Sequence, residues 1–351
     1  MLIEGVFAAI PTPFYSDERI YLKKLEANVS RYSRSLLAGM VVLGSTGEAV
    51  ALTDAESRAV LGAVAGAAAP DKVLIAGVGR ESARATLEMA EAAAELKFDA
   101  VLVRTPIYYK PQMTTAAVLH HFRTVADRSP LPVVLYHIPK FVPYDFPVEA
   151  VAELAQHPNI IGIKDSSGSV ERVRKTVELT RSAPRRTVTV TPVFEAVTAR
   201  MLASRPEPVG SLVSVADLGS GVAVAVPPPV TPIKTRTKEV GFQVLCGSAA
   251  TFLESLESGA SGCVLAFAAC APQACTEIYL AWKDHDPKLA REKQERIALA
   301  SQRIAGDLGI NGVKAGCEFN GYYGGRARAP LIALTADQRA EVESLLANIR
   351  N

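Results

Sequence analysis

Eight short apolar runs separated by amphipathic stretches constrain this chain more than any other feature. The runs are Gly5–Ile10, Gly39–Gly44, Val73–Val78, Ala100–Thr105, Pro132–Ile138, Ile160–Lys164, Phe242–Gly247 and Gly262–Phe267. Each is strand-length and rich in Val, Ile and Leu, the composition of strands buried on both faces. Between them, Leu22–Leu37, Asp54–Ala68, Ser82–Leu96, Thr114–Asp127, Val148–Gln156 and Ser169–Arg181 repeat apolar residues at helical spacing. Strands alternating with helices demand a parallel sheet, because parallel neighbours need a crossover. Eight of them point to closure into a (β/α)8 TIM barrel, which typically takes about 250 residues. An open, doubly wound sheet is the competing arrangement. It is disfavoured because no glycine-rich dinucleotide fingerprint follows the first strand.

Two segments exceed such a barrel. Residues 1–285 hold the alternating pattern, and 286–351 read as a helical C-terminal region, with Lys288–Leu308 and Thr335–Ile349 helical around a turn-rich Gly321–Gly325. Residues 183–239 read as an insertion. It contains Pro227-Pro228-Pro229 and alternating runs at Thr187–Val193 and Val222–Val226, the marks of a hairpin or loop. The insertion follows a helix and precedes a strand, so it is expected on the face opposite a barrel's active site. A structural or oligomer contact is then its expected role, with a lid as the alternative.

Composition narrows the function classes. A net charge of +2 without a basic block argues against nucleic acid as a partner. No apolar run approaches membrane-spanning length, and Met1–Phe14 lack the pattern of a signal peptide. Cys246, Cys263, Cys270, Cys275 and Cys317 are odd in number and form no CxxC pair. They suit reduced thiols in a cytoplasmic protein better than a disulfide frame or zinc site. His120 and His121 are adjacent and diverge by about 100° on a helix, so no metal site is expected there.

The chemistry centres on Ile160–Gly168, where Lys164 sits within an apolar strand. Burial disfavours an ammonium, and a neutral amine is the nucleophile that forms an imine with a carbonyl. A lysine snorkelling out of a strand end is the plain alternative. Residues at the ends of barrel strands share one face. Three further strand ends carry polar groups: Gly44-Ser45-Thr46-Gly47-Glu48, Thr105-Pro106-Ile107-Tyr108-Tyr109 and Tyr136-His137-Ile138-Pro139. Turn N–H groups in the first suit an anion such as a carboxylate, although an ordinary glycine turn would look the same. A tyrosine beside the amine suits proton transfer. His137 should face away from Tyr136, because side chains alternate along a strand.

These three motifs, Gly44–Glu48, Tyr136–Pro139 and Gly162–Ser166, resemble in order and spacing those of the dihydrodipicolinate synthase / N-acetylneuraminate lyase family. Within it, the chain looks most like the 4-hydroxy-2-oxoglutarate aldolases. That likeness runs through Ala117–Phe122, Val125–Pro130, Gln156–Ile160 and Gly321–Pro330. The resemblance implies a (β/α)8 barrel with a helical C-terminal part, assembled as a homo-oligomer, tetramer or dimer. It implies a metal-independent class I aldolase with no cofactor beyond the imine on Lys164. It further implies Tyr136 as proton shuttle, Ser45 and Tyr108 completing a relay (Tyr108 into a neighbouring subunit), and Thr46 and Gly47 on the carboxylate of a 2-oxo acid such as pyruvate. Ser166, Gly247 and Ser248 would line the pocket.

The chain departs from the family at the aldehyde end. The synthases carry an arginine where this chain has Phe141, although Lys140 could supply a cation. The hydroxyoxoglutarate aldolases carry asparagine at Thr46 and a Thr-Gly pair at Val142-Pro143. The expected reaction is cleavage of 4-hydroxy-2-oxoglutarate to pyruvate and glyoxylate. The alternatives are condensation of pyruvate with aspartate semialdehyde, or an aldolase or dehydratase of 2-keto-3-deoxy sugar acids. A non-enzymatic 2-oxo acid binder is the reading from another class.

Overall fold

The computed structural model describes residues 1–142, 144–203 and 234–349. All eight expected strands form, each within two residues of its expected bounds. They are β1 (Gly5–Ala9), β2 (Gly39–Val42), β3 (Val73–Gly77), β4 (Ala100–Arg104), β5 (Val133–His137) and β6 (Ile160–Asp165). A hairpin of β7 (Arg186–Val190) and β8 (Arg236–Val240) follows, then β9 (Gln243–Cys246) and β10 (Gly262–Leu265). Every pairing in the barrel is parallel, and β10 returns to β1 to close it. Closure leaves no free edge.

Strand alternation divides the apolar residues into two sets. Phe7, Val41, Ile75, Leu102, Val134, Leu245 and Val264 fill the barrel. Ala8, Met40, Leu74, Val101, Leu135, Ile163 and Cys246 face the surrounding helices. Eight helices pack there, from Leu22–Ser33 after β1 to Pro272–Lys283 after β10. Their starts are written locally. Thr53 caps Asp54–Ala67 by accepting from the Glu56 N–H, while the Glu56 carboxylate accepts from the Thr53 N–H. Two glycines are required by close approach: a Cβ on Gly39 or Gly77 would lie 2.0 Å from the carbonyl oxygen of Val73 or Leu43.

The insertion sits at the barrel's N-terminal end, as its position in the chain predicts. Val188, Val190 and Val240 pack on Leu2. Lys238 pairs with Glu4 at 2.6 Å, and the Arg186 guanidinium donates to the carbonyls of His157 and Pro158 ahead of β6 and of Ile160 at its start. Asp99, just before β4, accepts from the Ala199 N–H at 2.7 Å. The described parts of the insertion therefore brace the base of the barrel and leave its mouth open. The Val222–Val226 run and Pro227–Pro229 lie outside the described residues, as does Pro143.

The C-terminal residues depart from the expected pattern. The helix expected over Lys288–Leu308 is an α-helix, Pro287–Ser301, that runs into a π-helical turn, Gln302–Asp307. A further helix, Gly309–Phe319, follows where none was expected, and Ala336–Leu346 closes the chain. Gly312 and Gly316 hid that helix, since glycine weakens helices in isolation. Packing explains both: a Cβ on Gly312 would lie 2.2 Å from the Ile304 carbonyl oxygen, and one on Gly316 3.1 Å from the Cys270 side chain.

Candidate active site

Parallel pairing of β5 and β6 sets the site. Tyr136 and Lys164 are register partners, so both side chains leave the same face, and that face is the barrel interior. Both are buried. The Lys164 Nζ lies over the Tyr136 ring, 4.2 Å from its centroid, where the ring's negative face attracts it. Among the described residues no carboxylate pairs with Lys164. The third member comes from the turn after β2: the Ser45 Oγ meets the Tyr136 hydroxyl at 3.4 Å. Amine, phenol and hydroxyl therefore adjoin inside one cavity of about 270 Å³.

Of the residues named from sequence, Ser45, Thr46, Tyr136, Lys164, Ser166, Gly247 and Ser248 all line this cavity. Gly247 must be small, since a Cβ there would lie 2.1 Å from the Ser166 Oγ. Two named residues are not brought to it. The Gly47 N–H closes the turn on the Gly44 carbonyl, and its own carbonyl accepts from the Thr12 hydroxyl at 2.7 Å. Gly47 therefore shapes the turn and is not among the residues that line the cavity. Tyr108 is 78% exposed and its ring touches only Tyr109 among the described aromatics. Its loop is pinned by Glu81, whose carboxylate accepts from the N–H groups of Ile107 and Tyr108.

The next residue along each of these two strands faces outward. His137 pairs in register with Asp165, away from the cavity. Burial pushes the His137 imidazole below its ordinary pKa. Asp165 accepts from the Ser167 N–H and Oγ and from the Arg172 Nε at 2.7 Å. This ion pair, its Asp165 half fully covered and its Arg172 half 13% exposed, fixes the end of β6 immediately after Lys164.

The turn after β2 is fixed from behind by a second buried pair. Glu48, at φ +55°, holds one carboxylate oxygen 2.5 Å from the Lys314 Nζ, at an angle outside hydrogen-bond alignment. Its other oxygen accepts from the Arg328 N–H at 2.8 Å. Lys314 was invisible as a partner because it lies 266 positions after Glu48 and only the complete fold brings the two together.

Sequence reasoning also missed the cavity's outer wall. Ser301, Gln302, Ala305, Gly306, Ile310 and Val313, from the C-terminal helices, cover the mouth opposite Lys164. Lys140 and Phe141 complete the rim after β5. The π-helical turn was the one available local signal, since such turns recur at functional sites, but glycines at 306, 309 and 312 masked its helical period. Among the described residues no three His, Cys, Asp or Glu side chains form a metal-ligand group, and no helix is long and apolar enough to cross a membrane.

Comparison with known proteins agrees with this geometry. The model of the dihydrodipicolinate synthetase family matches residues 2–186 and 205–349. A 4-hydroxy-tetrahydrodipicolinate synthase of Exiguobacterium is 27% identical over 345 residues, spanning 98% of this chain and 97% of its own length. One from Stenotrophomonas maltophilia is 39% identical over 191 residues, 52% of this chain and 61% of its own length. Among solved structures, the chloride-inhibited dihydrodipicolinate synthase of Acinetobacter baumannii, complexed with pyruvate, superposes with a TM-score of 0.77 at 25% identity, covering 99% of both chains. YagE, a prophage protein of Escherichia coli K12 also complexed with pyruvate, shares the fold with a TM-score of 0.78 at 23% identity, again covering 99% of each.

Proposed function

The chain belongs to the dihydrodipicolinate synthetase family of aldolase-type lyases, and from that premise we propose that it is a class I aldolase whose Lys164 forms an imine with a 2-oxo acid, pyruvate being the product or donor. The observation that carries this reading is the Lys164 amine held over the Tyr136 ring in a cavity shared with Ser45. Lys164 attacks C2 of the 2-oxo acid and water leaves, giving a protonated imine. In cleavage, the Tyr136 oxygen takes the proton of the 4-hydroxyl. The C3–C4 bond breaks, its electrons enter the iminium, and an aldehyde departs. The remaining enamine takes a proton at C3, and water hydrolyses the imine to pyruvate and free lysine. Ser45 relays protons between Tyr136 and the ligand. Ser45, Thr46, Ser166 and Ser248 hold the 2-oxo carboxylate. The protonated imine on Lys164 is the electron sink, so the proposed chemistry calls for neither metal nor cofactor.

Two acceptors compete for the second half. Aspartate semialdehyde is supported by the names of the relatives that match along nearly the whole chain. Glyoxylate, from cleavage of 4-hydroxy-2-oxoglutarate, is supported by Phe141 at the cavity rim. Exposed Tyr108 and Tyr109 beside the mouth support a homo-oligomer, tetramer or dimer, in which Tyr108 meets a neighbouring site. Five free buried cysteines accord with a cytoplasmic setting.

The test is borohydride reduction in the presence of pyruvate. The wild type should gain the mass of a reduced pyruvate adduct at residue 164, and Lys164→Ala should not. Covalent capture by that variant would refute the assignment. Parallel coupled assays with glyoxylate and aspartate semialdehyde then decide the acceptor.

A further inference from the structure

A second cavity lies among the surrounding helices and shares no lining residue with the first. It measures about 400 Å³ and opens between the end of the helix Leu22–Ser33 and the start of the helix Pro272–Lys283. Its charged lining residues are Arg31, Arg34 and Glu277. Glu277 is already neutralised from the neighbouring helix: Arg296 lies 2.8 Å and Lys293 3.2 Å from its Oε2. Its Oε1 accepts from the Gln273 Nε2 at 3.1 Å. Among the described residues neither Arg31 nor Arg34 pairs with a carboxylate. The cavity is therefore left with two guanidiniums that lack a counter-charge.

Arg31 is built into place. Its guanidinium lies over the Tyr322 ring, 4.4 Å from the centroid, and Tyr322 in turn stacks on Tyr32 at 4.5 Å. Tyr32 is buried and donates from its hydroxyl to the Ala269 carbonyl, just ahead of the helix Pro272–Lys283. The Arg31 Nη1 donates to the Gly321 carbonyl at 2.6 Å. Gly321 sits at φ +80°, and a Cβ there would lie 2.6 Å from that same nitrogen. The turn Gly321–Gly325, which lines no part of the active cavity, thus serves to hold an arginine. A guanidinium carries five N–H donors in a planar fork, so four remain on Arg31, and Arg34 adds a second fork. Fixing one fork on a ring removes rotamer freedom before a ligand arrives.

Two forks and two positive charges match a tetrahedral dianion. A phosphate monoester carries about −1.5 to −2 charges at pH 7 and three acceptor oxygens. The helix Pro272–Lys283 adds to the field, since no side chain caps its start and no acidic residue lies in its first turn. Leu36, 72% exposed, and Pro272 give the cavity an apolar surface beside the arginines. We propose that this cavity binds a phosphate monoester, its phosphate between Arg31 and Arg34 and its organic group against Leu36 and Pro272. The site is separate from the Lys164 chemistry and does not depend on it.

Calorimetric titration with phenyl phosphate, in a phosphate-free buffer at about pH 7, tests this. The wild type should saturate at one equivalent per chain. It should half-saturate at lower phenyl phosphate than inorganic phosphate, which separates an ester from the free ion, and binding should weaken as sodium chloride is raised. Arg31→Met and Arg34→Met should each raise the half-saturating concentration about 10–100-fold, the loss of hydrogen bonds between charged groups. Both variants should keep borohydride trapping of pyruvate. Wild-type protein already trapped with pyruvate should bind phenyl phosphate unchanged, which locates the ligand outside the active cavity. A wild type that traps no pyruvate sinks the Schiff-base reading alone, and the arginine variants still locate this site. Absence of saturable binding, equal or tighter binding of inorganic phosphate, loss of binding after pyruvate trapping, or full affinity in Arg34→Met overturns the proposal. Should Arg31→Met fail to fold, the exposed Arg34→Met position decides alone.

Discussion

Replacing Lys314 by methionine tests whether the turn after β2 is held by the buried pair behind it. Glu48 and Lys314 side chains are each 1% exposed. Removing the ammonium leaves a covered carboxylate whose remaining donor is the Arg328 N–H. Breaking a buried pair by deleting one partner costs about 3–5 kcal/mol, because the other charge stays desolvated. Unfolding entropy of about 2.1 cal/mol/K per residue, over 351 residues, gives about 0.74 kcal/mol per degree. Lys314→Met should therefore lower Tm by about 4–7 °C. Adding Glu48→Gln to Lys314→Met removes the stranded charge and should restore more than half of that loss. Scanning calorimetry of the wild type, Lys314→Met, Glu48→Gln and the double variant, at neutral pH and fixed salt, measures the coupling directly. A Lys314→Met drop below about 2 °C, or a double variant no more stable than Lys314→Met, would refute the argument.

Other outcomes follow from the same geometry. Tyr136→Phe removes the hydroxyl that meets Ser45; it should keep borohydride trapping of pyruvate and lose about 10²–10⁴-fold in kcat, and near-normal turnover would exclude the shuttle role. Burial, and secondarily the Arg104 charge, pushes His121 down to about 4 from 6.5. Between those values the unfolded chain binds a proton that the folded protein refuses, so stability present above pH 6.5 is lost as pH falls toward 4; a His121→Leu protein should show a flatter Tm–pH curve in that window. The hydrogen bonds from Arg328 hold Glu56 at about 2, below its ordinary 4.5. Its contribution is full above pH 4.5 and fades as pH falls toward 2, so the Tm gap between wild type and Glu56→Gln should narrow over that range; a constant gap would contradict it.

Much of this molecule is legible along the chain because its causes are local. Eight runs of buried-strand composition and the helical spacing between them are enough for a barrel, since parallel neighbours joined by helices have few other ways to pack. The alternation of side chains along a strand separates Tyr136 from His137 in the sequence itself. The insertion's place between a helix and a strand assigns it to the base of the barrel, and Arg186 and Asp99 hold it there.

What the chain alone could not decide depends on contacts between distant segments. The 3.4 Å approach of Ser45 to Tyr136 requires closure of the sheet from β2 through β5. The helix Gly309–Phe319 has glycines that weaken it in isolation, and it forms because those glycines let it pack against Ile304 and Cys270. Only that packing brings Lys314 to Glu48 and sets Gly306 against Lys140 across the mouth. Residue identity and period along the chain determine which face of each element is buried. Which buried faces meet, and therefore what surrounds the Lys164 amine, is determined by the closed barrel and the helices laid over it.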